Sequence, residues 1–183
     1  MNELCNRYAM AFLELAKEEG NVEKYREEIL SIYNALIENK NFTKLLSSKV
    51  ISRDEKISII DTVLNKNSES VINYIKVIFD NGRSNYLVKI LKETSFKFDS
   101  YLNIERGIIY SAIPLKDDEI KKIKKAIEEN VNKRCEFQNV IDKSLIGGIK
   151  VVLKNDIYDA SINTQIEKLR TTLLKKGDIS NGN

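Results

Sequence analysis

Apolar residues recur at helical spacing through the first hundred positions. Leu4, Tyr8, Ala11 and Leu15 follow one another at steps of four, three and four, one face of a helix over residues 1–19. Cys5, Ala9, Phe12, Leu13 and Ala16 widen that arc well past the ~100° that a single docking stripe requires. Gly20 punctuates, and Asn21 is placed to cap a second helix carrying Val22, Tyr25, Ile29, Ile32, Tyr33 and Leu36. Beyond Asn39-Lys40-Asn41, the residues Phe42, Leu45 and Leu46 make a short amphipathic turn or two. Ser52 followed by Glu55 is a capping-box pattern, and it opens a helix with Ile57, Ile60, Val63 and Leu64. Val71 to Phe79 is almost wholly apolar: Val71, Tyr74, Ile75 and Ile78 share a face, and Val77 points well away from it. Gly82 after Asn81 is a natural helix stop. A long helix then runs from Ser84 to about Asn103, with Leu87, Ile90, Leu91, Thr94, Phe98, Tyr101 and Leu102 inward. The spacing predicts a six-helix bundle over residues 1–104 with short connections.

The pattern changes at residue 105. Arg106 to Ile113 is β-branched and aromatic, reads as a strand, and is stopped by Pro114. Asp117, Asp118 and Glu119 suit the first turn of a helix whose inner face is Ile120, Ile123, Ile127 and Val131. Glu136 to Ile141 is a second strand. Then Leu145 to Leu174 reads as a glycine hinge at Gly147-Gly148, a strand through Ile149 to Leu153, a polar tip, a short return at Ile157-Tyr158, and a helix. Ser161 can cap that helix, on which Ile162, Ile166, Leu169 and Leu173 form one face. The expected fold is mostly α with a small α/β part: the N-terminal bundle, a small C-terminal α/β domain over 105–176, and a loose tail over 177–183.

Composition narrows the chemistry. A length of 183 residues allows one domain or two small ones, and 42% hydrophobic with 31% charged residues describes a soluble, folded chain. There is no histidine, which removes imidazole general-base chemistry, the Ser-His-Asp triad and nearly all zinc catalysis. Cys5 and Cys135 form no CxxC pair and read as reduced core thiols. No apolar run approaches the roughly 20 residues of a membrane span, and no basic-then-apolar leader opens the sequence, so membrane association is expected only through partners. Gly147-Gly148 with Lys150 lacks the GxxxxGK[ST] phosphate loop and leads into a strand, so no nucleotide site or other cofactor is expected. Lys121, Lys122, Lys124 and Lys125 could mark a helical RNA-binding adaptor, but carboxylates follow at Glu128 and Glu129, and the net charge is only +3. Asp117-Asp118 and Glu128-Glu129 fit helix capping and solubility better than acid–base catalysis.

The surplus apolar arcs on the first and fifth helices leave two readings open. One is central burial in the bundle. The other is a groove that takes an incoming amphipathic helix, with small or flat residues such as Ala11 and Val77 ringed by anchors such as Tyr8.

Four stretches carry a resemblance. RYAMAFLELA (Arg7–Ala16) resembles the RYAxALFxLA opening of the delta subunit of bacterial F-type ATP synthase, called OSCP in mitochondria. NFTKLLSSKVISRDEKISII (Asn41–Ile60) is similar to that family's NFxxLLxxPxIxxxEK segment, with Lys49 where proline is common. IFDNGR (Ile78–Arg83) resembles its NGR ending of the fifth helix, and IGGIKV with IYDASI and QIEKL resembles its C-terminal signature. The resemblance implies a non-catalytic stator subunit on the cytoplasmic face of the bacterial cell membrane. One copy would cap the alpha/beta hexamer and join it to subunit b, so that proton-driven rotation is coupled to ATP synthesis. It places N-terminal helices of alpha against Tyr8, Ala11, Phe12, Leu15, Tyr74, Val77, Ile78 and Arg83. It places the C-terminal end of b within residues 145–174, at Gly147, Gly148, Asp159, Ser161, Ile166 and Leu169. No nucleic acid and no cofactor are implied.

Overall fold

The structure, a computed structural model, describes residues 2–48, 50–154 and 156–180. The chain divides into two compact units, Met1–Leu102 and Asn103–Asn183. Among the described residues there are eight α-helices and a four-stranded mixed sheet.

The first unit holds α1 (Asn2–Glu18), α2 (Val22–Glu38), α3 (Lys40–Ser47), α4 (Arg53–Val63), α5 (Glu69–Asp80) and α6 (Leu87–Tyr101). Their apolar faces meet in one core that includes Phe12, Ile29, Leu36, Leu46, Ile60, Ile75, Ile78, Leu91 and Phe98. The capping box at the start of α4 is present: Ser52 Oγ accepts from Glu55 N, and Glu55 Oε2 accepts from Ser52 N at 2.8 Å. Asn21, by contrast, precedes α2 without a side-chain cap bond. The amphipathic stretch at residues 42–46 is a full helix, α3. The helix expected from Ser84 begins instead with a 3-10 turn, Ser84–Tyr86.

Two features lock this unit. Arg26 of α2 and Asp99 of α6, both buried, form an ion pair with Nε and Oδ1 2.5 Å apart. At the end of α5, Gly82 takes φ +66°, Gly82 N donates to Phe79 O at 2.8 Å, and Arg83 N donates to Ile78 O at 2.9 Å. This pair of bonds is the Schellman motif, which satisfies the last carbonyls of a helix and favours glycine for its left-handed residue. The Asn-Gly-Arg sequence is therefore the chemistry of a helix end.

The second unit orders its strands β2-β1-β3-β4. Here β1 (Ile104–Ser111) pairs parallel with β2 (Arg134–Ile141), and β3 (Ile149–Leu153) pairs antiparallel with both β1 and β4 (Asp156–Asp159). A parallel neighbour demands a crossover, and α7 (Asp117–Val131) supplies it. Its Ile123, Ile127 and Val131 cover Cys135, Phe137 and Leu153 on one sheet face. Cys135 is fully buried there, and burial pushes its thiol pKa up, as befits a core thiol. The lysine face of α7 is interrupted by carboxylates: Lys124 lies 3.7 Å from Glu128, and Lys121 lies 3.9 Å from Asp118. Helix α8 runs Ile162–Ser180, past the residue 176 boundary read from the sequence. Gly177 weakens a helix by only about 1 kcal/mol relative to alanine, and that does not end it. Residues 181–183 of the expected tail, Lys49 and the side chain of Leu173 lie outside the described part of the molecule.

Candidate functional site

On the first unit the sequence-named residues fall into two layers along α1 and α5. Phe12 and Tyr74 stack with ring centroids 4.1 Å apart and planes 11° from parallel. Phe12 also stacks on Tyr25 at 5.8 Å and on Phe98 at 5.7 Å. These rings, with Ile78, are buried. They form the floor between the two helices, so central burial accounts for this part of the surplus. Tyr74 OH donates to Thr94 Oγ1 at 2.8 Å, because that hydroxyl spends its own proton on Ile90 O. Burial raises the Tyr74 phenol far above its ordinary range, so it stays a neutral donor.

Above the floor lies a second layer that the core does not absorb. Leu15 is 37% exposed, Val77 is 46% exposed, and Ala11 is exposed with them. Tyr8 is half-buried against the core, and Arg83 is exposed just past the Schellman turn. Helical geometry puts Tyr8, Ala11 and Leu15 within about 60° on the flank of α1. Val77 is one turn along α5 from Tyr74. Ala11, Leu15 and Val77 are therefore exposed apolar positions on the two helices that carry the Phe12–Tyr74 stack. A distinct apolar cavity of about 520 Å³ opens between α2, α3 and α4 over Ile32, Phe42, Leu46 and Ile60. It involves none of the residues the sequence placed at a partner contact, and no periodicity reveals it because five helices contribute its walls.

On the second unit the named residues separate into a clasp and an exposed stripe. Gly148 takes φ +77°, and a Cβ there would stand 2.4 Å from Ala160 O. Ile162 N donates to Gly147 O at 3.0 Å, and Ala160 N donates to Ile149 O at 2.9 Å. Ser161, buried, caps α8 by accepting from Thr164 N at 3.3 Å, and its own N–H donates to Asp159 Oδ1 at 2.9 Å. Hydrogen bonds from Ser161, side chain first and then backbone, hold the Asp159 carboxyl below the usual carboxylate range. The Gly147–Ile162 bond, the close approach of Gly148 to Ala160 and the Ser161–Asp159 bond together fix where α8 starts. Ile166 is 49% exposed and Leu169 is 63% exposed, on one face with Ile162. Ile146, also exposed, sits just before the clasp; its proximity to α8 follows from the Gly147–Ile162 bond and is invisible to periodicity.

The sequence model of the ATP synthase delta (OSCP) subunit family matches residues 4–173. The chain belongs to that family. Among relatives, it is 34% identical to ATP synthase subunit delta of Mycoplasma mobile over 170 residues, covering 92% of this chain and 94% of that one. It is 29% identical to the Clostridioides difficile subunit over 177 residues, covering 94% and 97%. Its fold is similar to a chain in the cryo-EM structure of the Toxoplasma gondii mitochondrial ATP synthase hexamer. The TM-score there is 0.66, with 20% identity and coverage of 93% and 97%. Members of the delta (OSCP) family are structural stator parts of the peripheral stalk, so this chain is a non-catalytic subunit of the membrane-associated ATP synthase. That role replaces the RNA-binding alternative. Among the described residues no helix is long and apolar enough to cross a membrane.

Proposed function

We propose that the six N-terminal helices work as one bundle that holds an N-terminal helix of the alpha subunit in the α1/α5 groove. The C-terminal unit then holds the C-terminal end of subunit b on the α8 stripe, at the cytoplasmic face of the bacterial membrane. The observation that carries this reading is the set Ala11, Leu15 and Val77, apolar and exposed over a floor of stacked rings. An amphipathic helix would cover them with its own apolar face.

A stator performs no reaction. It must resist the torque that the turning shaft exerts on the catalytic hexamer, so its contacts must be strong in sum. Two docking surfaces on one chain make the second engagement intramolecular, and moderate contacts then act together. Val77→Asp tests the groove directly. The new carboxylate meets no partner in an apolar contact, and docking must either bury it or leave it a wet gap. Calorimetric titration of the full chain with the alpha N-terminal segment should show affinity about thirtyfold weaker. An unchanged affinity would remove alpha from this groove.

A further inference from the structure

Helix α5 is gripped at its N-terminus by two carboxylates from outside it. Glu28 of α2 accepts from Ser68 N at 2.8 Å and from Ser68 Oγ at 2.7 Å. Glu19, just past the end of α1, accepts from Ser70 Oγ at 2.9 and 3.0 Å, and also from Tyr25 OH. Negative charge is favoured at this end of a helix, where free amides and the macrodipole point outward. Ser68 is the N-cap of α5, yet its hydroxyl makes no cap bond to its own helix and is given to Glu28 instead. This contact therefore joins α5 to its neighbours instead of stabilising it locally.

Its position matters for the groove. Ser70 lies seven residues before Val77, two helical turns, and therefore on the same face of α5 within about 20°. Glu19 continues the α1 flank of Tyr8, Ala11 and Leu15 by one more turn. The Glu19–Ser70 contact near one end and the Phe12–Tyr74 stack further along show that α1 and α5 run antiparallel. The same carboxylate holds Tyr25, whose ring stacks on Phe12. One side chain thus touches both the wall and the floor of the groove.

We propose that Glu19 and Ser70, backed by Glu28 and Ser68, are positioning residues for helix docking. They close one end of the α1/α5 groove and hold α5 at the spacing an incoming amphipathic helix requires. This rests on the alpha-docking reading above. A groove set in advance binds more tightly because less ordering remains to be done on association.

A double-mutant cycle read in binding, not in stability, tests it. The full chain is titrated with the alpha N-terminal segment as wild type, Glu19→Ala, Ser70→Ala, the double variant, Ser70→Thr and Val77→Asp. A thermal melt confirms that each is folded at the assay temperature. Each single clamp variant should bind about fivefold more weakly. The double should be no worse than Glu19→Ala alone, since the Glu19–Ser70 contact is lost once, and Ser70→Thr should bind like wild type because it keeps the hydroxyl. Wild-type affinity in both single variants, or losses that multiply in the double, would overturn the clamp while a weakened Val77→Asp leaves the groove standing. If Val77→Asp also binds normally, the docking reading fails first. Should Glu19→Ala not fold, Ser70→Ala against Ser70→Thr decides the question.

Discussion

Asp99→Ala is expected to destabilise the helical unit by about 3–5 kcal/mol. The carboxylate sits in a buried ion pair with Arg26, and the two residues are 73 positions apart in sequence. Both side chains are almost wholly withdrawn from water, at 4% and 7% exposure. Removing Asp99 takes a carboxylate partner from the buried Arg26 guanidinium, which costs far more than the pair contributes over an apolar substitute. A small domain has a net stability of only ~5–15 kcal/mol, so this one change should move the urea midpoint of the far-ultraviolet circular dichroism transition a long way down. Replacing both partners with apolar residues of similar volume, Arg26→Met with Asp99→Leu, should recover most of the loss. An Asp99→Ala variant with a wild-type midpoint would mean that the α2–α6 contact is wet and weak.

Gly148→Ala is expected to destabilise the second unit by roughly 2–5 kcal/mol, with two separable causes. An alanine in the left-handed region costs about 1–2 kcal/mol. The added Cβ, 2.4 Å from the carbonyl oxygen of Ala160, must also push backbone aside, and such overpacking costs about 1–3 kcal/mol. The displaced segment is the β4–α8 junction, so the start of α8 moves with it. Gly147→Ala is the control: its Cβ would meet only the far end of the Ile162 side chain, at 2.7 Å, and that side chain can swing away. Hydrogen exchange should show early opening of Ser161 to Gln165 in Gly148→Ala and near-normal protection in Gly147→Ala. Equal protection in both would show that the clasp does not hold α8.

Much of this architecture is legible from periodicity, because amphipathic faces must point at a core. The Ser52–Glu55 box, the Gly82 stop and the Ser161 cap were readable, since each is a local bond between near neighbours in sequence. What a helical wheel does not decide is which apolar arc faces the core and which faces a partner. Phe12, Tyr74 and Ile78 share the chemistry of Leu15 and Val77, yet only the packing of α2 and α6 around them separates floor from wall. The Arg26–Asp99 pair and the Glu19–Ser70 and Glu28–Ser68 contacts left no pattern either, because each joins residues distant in sequence. Strand β1 begins two residues earlier than the run at Arg106 to Ile113 announces. Its first positions, Ile104 and Glu105, pair with Arg134 and Cys135 across the sheet, and backbone pairing is indifferent to the polar side chains there. The reason for Gly148 is likewise tertiary: it is glycine because of the Ala160 carbonyl.

We propose two independent docking surfaces on one non-catalytic chain. The most direct measurement is a three-component titration of the full chain with the alpha N-terminal segment and the b C-terminal segment, followed by mass photometry and calorimetry. The expected result is a one-to-one-to-one complex, in which Val77→Asp loses alpha and keeps b, and Leu169→Asp loses b and keeps alpha. A chain that releases both partners on either change, or holds both in spite of the two together, would contradict it.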